Sequence, residues 1–246
     1  ARLLQTMARA NHNLGRYEEA RDLAGRAVRL LESQFGEEHH DLAGALGSLG
    51  VSLSASGQYD SARTVLQRAV QYEEEWHGEE VLEMGDLLEH LARVTIYLGD
   101  LQGAQALAER ALTNKERFLG RGDPSTLNTL GALASIFRFQ GRYGLSEAAF
   151  REVLSRRRDL AAPNMTQLTA DMLQVGDLLR LQNRDLDEAE RLYREAVTLL
   201  HDGSGMGNPN FVWGLTSLGL LMDSKGEIQE ADRLLTQALD IRRRTF

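Results

Sequence analysis

Two stretches of this 246-residue chain carry residue types that could do chemistry. Glu37-Glu38-His39-His40-Asp41 sets imidazoles beside carboxylates, the ligand types that zinc takes. Gly203-Ser204-Gly205-Met206-Gly207-Asn208-Pro209 is glycine-rich ahead of a helical pattern, a setting in which backbone amides can cradle a phosphate. Neither pattern develops further. No histidine pair at i, i+4 spacing supports a metal site. A dinucleotide fingerprint needs a strand before its glycines, and here a helix precedes them; no Gly-Lys-Ser/Thr ending follows. Both stretches read as connectors, with no metal and no cofactor expected. Scattered Ser, His and Asp residues show no catalytic order, so the chain reads as a non-enzyme with no catalytic residues.

The charge runs have plain readings. Glu73-Glu74-Glu75 with Glu79-Glu80 reads as a solvated face, although its sign is unfavourable at the end of a helix. Arg156-Arg157-Arg158 and Arg242-Arg243-Arg244 sit at helix ends where their sign suits the dipole, and capping is preferred there to anion binding. The net charge of -8 argues against a nucleic-acid partner. There is no cysteine, which removes disulfides and thiolate metal sites. No apolar run approaches the ~18 residues of a membrane span. A cytoplasmic location is expected.

The elements that would position any site are given by an internal repeat. Gly15-Arg16-Tyr17-Glu18-Glu19-Ala20 returns as Gly57-Gln58-Tyr59-Asp60-Ser61-Ala62 and as Gly99-Asp100-Leu101-Gln102-Gly103-Ala104. Weaker copies begin at Gly141 and Gly226, and a copy with one extra residue begins at Asn183. The anchors fall every 42 residues, with a last step of 43. Glycine or asparagine there ends one helix in the left-handed conformation, and a second helix starts about three residues later. Seven residues before each turn stand Ala8, Gly50, Ala92, Ala134, Gly176 and Gly219, all small. Ala20, Ala62, Ala104, Ser146, Ala189 and Ala231 form a small column in the second helix. Pro124 and Pro209 share one register at the start of a first helix, and Pro163 lies near the corresponding boundary. First helices are predicted near 1–14, 41–56, 82–98, 124–140, 165–182 and 209–225, second helices near 18–34, 60–76, 101–118, 144–159, 187–201 and 228–244. No segment reads as a strand.

These columns resemble the tetratricopeptide repeat, with small residues at positions eight, twenty and twenty-seven, Gly at fifteen and Tyr at seventeen. The 42-residue length, with Phe35 to Ala43 and Leu119 to Leu127, resembles the inter-repeat loops of kinesin light chains and of many bacterial proteins. The resemblance implies an all-α, right-handed superhelical solenoid of six helix-turn-helix repeats. Their bounds fall near 1–42, 43–84, 85–126, 127–168, 169–211 and 212–246, in one domain. It implies that first helices line a concave groove and that a peptide or partner protein binds there. Carried over, the groove residues are Arg9, His12, Asn13, Arg93, Tyr97, Asn128, Arg138, Phe139 and Arg180, with Gly44, Gly47 and Gly131 leaving room. The adjacent asparagines of kinesin light chains are absent, as is the lysine and asparagine clamp of chaperone-binding members.

Two uses suit the four arginines. They could hold a partner with acidic and apolar residues, or pair with Asp86, Glu89 and Asp177 across adjacent repeats and brace the solenoid. The function expected is an interaction scaffold. The alternative is a regulatory or sensor domain of a larger signalling protein such as a bacterial serine/threonine kinase or protease. Leu234, Leu235, Leu239 and Ile241 lie close to the end, so either the chain continues or that face packs against another molecule.

Overall fold

A computed structural model describes residues 1–36, 41–76, 81–203 and 208–245. It forms twelve α-helices, in chain order α1 (Arg2–Asn13), α2 (Tyr17–Phe35), α3 (Leu42–Ala55), α4 (Tyr59–Trp76), α5 (Leu82–Tyr97), α6 (Leu101–Leu119), α7 (Pro124–Phe139), α8 (Tyr143–Arg158), α9 (Met165–Leu181), α10 (Leu186–Gly203), α11 (Pro209–Ser224) and α12 (Ile228–Thr245). The described residues contain no strand. All twelve expected helices are present, with ends within two residues of their expected places. The chain forms two compact units, Ala1–Thr129 and Leu130–Phe246, and the division falls within α7.

Each hairpin turn closes the same way. The amides of Arg16, Gln58, Asp100, Arg142, Arg184 and Glu227 donate to the carbonyls of Asn11, Leu53, Thr95, Phe137, Leu179 and Met222, five residues back, at 2.9–3.1 Å. That bond caps the first helix and needs a left-handed residue one step earlier. The five anchor glycines supply it with φ of 74–85°, and Asn183 with φ 50°. The extra residue of the fifth turn is accommodated by Asp185, also left-handed at φ 36°, whose carboxylate accepts from the Glu188 amide and starts α10.

Packing inside each hairpin explains the small column at position eight. The residue facing it is sixteen positions on, or seventeen in the fifth repeat, whose turn has one extra residue. Gly50 faces Leu66, Gly176 faces Tyr193 and Gly219 faces Leu235; an added Cβ would lie 2.5, 2.6 and 2.8 Å from them. Where position eight is Ala8 or Ala92, its counterpart is Ala24 or Ala108. Glycine thus appears wherever the opposing side chain is Leu or Tyr, and alanine where it is alanine, the reciprocity that a close-packed interior demands. Ala134 with Phe150 departs from this rule.

Within unit 1, α1 touches α3 and α3 touches α5; within unit 2, α9 touches α11. Among the described residues, no comparably close backbone contact joins successive second helices. They are joined by long side chains instead. Arg68 reaches Glu32 at 2.7 Å and Arg110 reaches Glu74 at 2.6 Å. In unit 2 the same two columns meet with signs exchanged, Arg158 reaching Glu195 at 2.8 Å. Each partly exposed pair is worth only ~0.2–1 kcal/mol, so the ladder fixes register more than stability.

Several expectations need correction. The glutamates near the end of α4 are not merely a solvated face: Glu73 is buried, Glu74 bridges to Arg110 and Glu75 accepts from Gln71. The Arg156–Arg158 run lies in the last turn of α8, as expected, but its side chains do more than complement the dipole. Arg157 is 2% exposed and holds Asp171 at 2.6 Å and Gln167 at 2.7 Å, while its neighbours pair with Glu152 and Glu195. Burial pushes the Asp171 carboxyl up to about 6, with Arg157 opposing it. Near the end of α12, Leu234 and Ile241 are buried in the unit 2 core and Leu235 packs on Gly219; Leu239 remains 47% exposed. The Glu37–His40 and Ser204–Gly207 stretches, and Glu79 with Glu80, lie outside the described residues.

The reciprocity is open to test. Gly50→Ala forces its Cβ into Leu66 and is expected to cost about 1–3 kcal/mol. Leu66→Ala leaves a cavity and is expected to cost about 2–5 kcal/mol. The double variant reproduces the alanine pairs of the first and third repeats and should lose clearly less than the sum. Urea unfolding of the three variants measures this; strict additivity would contradict the packing account.

Candidate functional site

The residues expected to form a groove stand on first helices, and each unit carries its own set. In unit 1, Arg9, His12 and Asn13 lie on the last two turns of α1, Arg93 and Tyr97 on α5, and Asn128 on α7. All are exposed except half-buried His12. Between them α3 offers exposed Gly44 and half-buried Val51, with Gly47 buried beside them. In unit 2, Arg138 and Phe139 end α7 and Arg180 lies near the end of α9.

The acidic residues of the same faces decide what the arginines do. Lys115 on α6 is 2% exposed, and its ammonium lies 2.8 Å from Asp86, 2.7 Å from Glu89 and 2.9 Å from the Ser125 hydroxyl. Thr129 donates a further hydrogen bond to Glu89 at 2.6 Å. Burial by itself would raise the Glu89 carboxyl, but the Lys115 and Thr129 hydrogen bonds outweigh it and hold the group below its ordinary value. Burial likewise would lower the Lys115 ammonium, and its two carboxylates raise it instead. In unit 2, Asp177 accepts from Tyr193 Oη at 2.7 Å, Trp213 Nε1 at 2.9 Å and Ser217 Oγ at 3.0 Å. Burial and the Asp177 charge push the Tyr193 phenol up, so it remains a donor.

The three carboxylates offered as partners for the arginines are therefore engaged by other groups. Arg9, Arg93, Arg138 and Arg180 make no ion pair among the described residues. The bracing reading is overturned, because Lys115 and the Tyr193, Trp213 and Ser217 donors reach those acids first. The arginines are held in other ways. Arg93 Nη2 donates to His90 Nδ1 at 2.7 Å. Arg138 lies 5.0 Å over the Phe139 ring, which is 53% exposed. The Nε atoms of Arg138 and Arg180 are shielded from solvent and have no hydrogen-bond partner among the described residues. Tyr97, 59% exposed, stacks on Tyr59 with ring centroids 4.6 Å apart.

Sequence reasoning missed Lys115. Its register lies in a second helix, away from the expected groove, yet its long side chain passes under α5. The available signal was compositional: it is one of two lysines in a chain whose basic residues are otherwise arginine. The donors to Asp177 gave no signal beyond their types.

The sequence profile of the tetratricopeptide repeat matches residues 1–74 and 83–159, and a second profile of that repeat matches residues 213–246. The chain belongs to the tetratricopeptide repeat family. Comparison with curated protein sequences gives no match. Among solved structures, this tetratricopeptide chain is similar to BtubC (BKLC) from P. vanneervenii, at 19% identity and a TM-score of 0.75, over 92% of this chain and 91% of that one. It is also similar to a putative kinesin light chain from Podosopora anserina with nearly identical TPR-like repeats, at 20% identity and a TM-score of 0.54, over 99% and 95%. The apo form of RapI matches at 13% identity and a TM-score of 0.69, over 98% and 82%. At these identities the likeness establishes the fold, including its kinesin-light-chain-like repeats.

His90 generates a pH test. Burial, with Arg93 beside it, lowers its imidazole to about 4. Because Arg93 only donates, Nδ1 accepts and the ring proton sits on Nε2. The unfolded chain protonates His90 near 6.5 while the folded chain does not, so the folded state binds fewer protons between those values. Stability therefore falls as pH drops through that window. Between pH 6.5 and 5 the His90 contribution is on the order of 1–2 kcal/mol. His90→Gln, which keeps an acceptor, should flatten that part of the urea-stability profile; an unchanged slope would contradict the assignment.

Proposed function

We propose that this chain is a non-catalytic scaffold, one tetratricopeptide domain that holds a peptide or loop of a partner protein against its first helices. Tetratricopeptide proteins are interaction scaffolds in general, and solenoid folds present extended binding faces. The binding residues are Arg9, His12, Asn13, Arg93, Tyr97 and Asn128 in unit 1, and Arg138, Phe139 and Arg180 in unit 2. The observation that carries this reading is the set of four arginines without an ion pair among the described residues, while Asp86, Glu89 and Asp177 on the same helices are engaged by other groups. A guanidinium fork suits a carboxylate, and the aromatic surface of Phe139 and Tyr97 suits an apolar neighbour. The partner segment accordingly carries acidic and apolar residues.

Affinity capture with the full chain, followed by calorimetry on the partner recovered, tests this. Arg93→Glu and Arg138→Glu, each with an unaltered helical circular-dichroism spectrum, should each weaken binding about tenfold or more. Binding of the unaltered chain should also weaken as salt rises, since exposed charge contacts are screened over ~8–10 Å at physiological ionic strength. Undiminished affinity in both variants would move the partner to the second helices or the loop edge.

A further inference from the structure

Within unit 1 a cleft of about 380 Å³ lies over α3, with α1 and α5 as its walls. Ligand clefts run about 300–1,000 Å³, so this one suits one or two side chains and not a folded element. Its floor is apolar and nearly bare. The two floor glycines differ in role. A Cβ on Gly47 would lie 2.8 Å from Leu87 Cδ2, so that glycine sets the approach of α3 to α5. A Cβ on Gly44 would meet nothing within 4 Å, so the space above Gly44 is open cleft.

The two walls have opposite charge. On α1, Arg9 makes no ion pair among the described residues, and beside it the shielded His12 Nδ1 has no hydrogen-bond partner among them. On the first two turns of α5 stand Glu83 and Asp86. Glu83 pairs with no cation among the described residues. Asp86 shares the single Lys115 ammonium with Glu89, two carboxylates against one cation. His90 closes the α5 wall. A wholly acidic segment would set like charge against Glu83 and Asp86, and a wholly basic one would set like charge against Arg9. Only a mixed segment leaves neither wall opposed by its own sign.

We propose that this cleft receives an apolar side chain of a partner peptide flanked by an acidic residue, which meets Arg9, and a basic residue, which meets Glu83 and Asp86. The proposal rests on the first-helix reading above and adds to it a subsite and an arrangement of charges.

The test uses the full chain, isotopically labelled, and blocked synthetic peptides of sequence Gly-Asp-Leu-Lys-Gly and Gly-Lys-Leu-Asp-Gly at millimolar concentration, followed by amide NMR. Controls are Gly-Asp-Leu-Asp-Gly, Gly-Lys-Leu-Lys-Gly and the uncharged Gly-Asn-Leu-Gln-Gly. At least one mixed peptide should shift the amides of Gly44, Gly47 and Ser48 and bind about tenfold more tightly than every control. Gly44→Leu places its Cβ in open space and should abolish those shifts, with an unaltered circular-dichroism spectrum as the check on folding. Arg9→Glu should reverse the preference toward the all-basic control. Equal affinity for all peptides, no shift with either mixed peptide, or binding unaffected by Gly44→Leu would overturn the cleft. Shifts on other first-helix residues that survive Gly44→Leu would overturn it while leaving the first-helix reading standing. Shifts confined to second helices would overturn both.

Discussion

Every repeat depends on how closely its two helices approach, and that approach is set by one pair of residues, sixteen positions apart or seventeen in the fifth repeat with its longer turn. Gly176 admits the Tyr193 ring where an alanine methyl would lie 2.6 Å from a ring carbon. The same ring then presents its hydroxyl to Asp177, which also gathers Trp213 and Ser217 from the next hairpin. A missing methyl group in one helix thus places the donor that ties two hairpins together. Gly50 and Gly219 do the equivalent steric work for Leu66 and Leu235.

Charge is divided between the faces of each unit. Second helices are spaced widely enough that long side chains span them, and their arginines and glutamates answer one another from repeat to repeat. The exchange of sign between the Glu32–Arg68 and Arg158–Glu195 pairs indicates that complementarity, and not the identity of either residue, is what that position needs. First helices approach closely, and Glu89 and Asp177 on them are taken up by Lys115 and by Tyr193, Trp213 and Ser217. What is left outward on those helices includes arginines and the aromatic Tyr97 and Phe139, with Glu83 and Asp86 facing out on α5, on a chain whose net charge is negative. Acidic residues of a partner segment would be drawn to these arginines despite the overall sign.

The fold was legible because its signals repeat. A glycine or asparagine every 42 residues, and small residues in fixed columns, report backbone conformation and helix approach, both of which are local. Asn183 was readable as a turn for the same reason, while the accommodating role of Asp185 was not, because a left-handed aspartate has no distinctive sequence mark. The groove was legible only in part. Registers placed Arg9, Arg93, Arg138 and Arg180 correctly on first helices, but the partners of Asp86, Glu89 and Asp177 depend on side-chain reach between separate helices. Lys115 contacts residues 26 and 29 positions away, and nothing in a single helix pattern encodes that. Arg157 was read only in part for the same reason: its place in the last turn of a helix was legible, whereas its partner Asp171 comes from the following helix.

The central claim is that the first-helix arginines are kept unpaired for a partner. Arginine footprinting with phenylglyoxal, read by mass spectrometry on the full chain with and without its captured partner, tests it most directly. The account predicts that the partner protects Arg9, Arg93, Arg138 and Arg180, while Arg63 and Arg233 on second helices keep their free-chain reactivity. Protection confined to Arg63, Arg233 and their second-helix neighbours, with the four first-helix arginines unchanged, would contradict it.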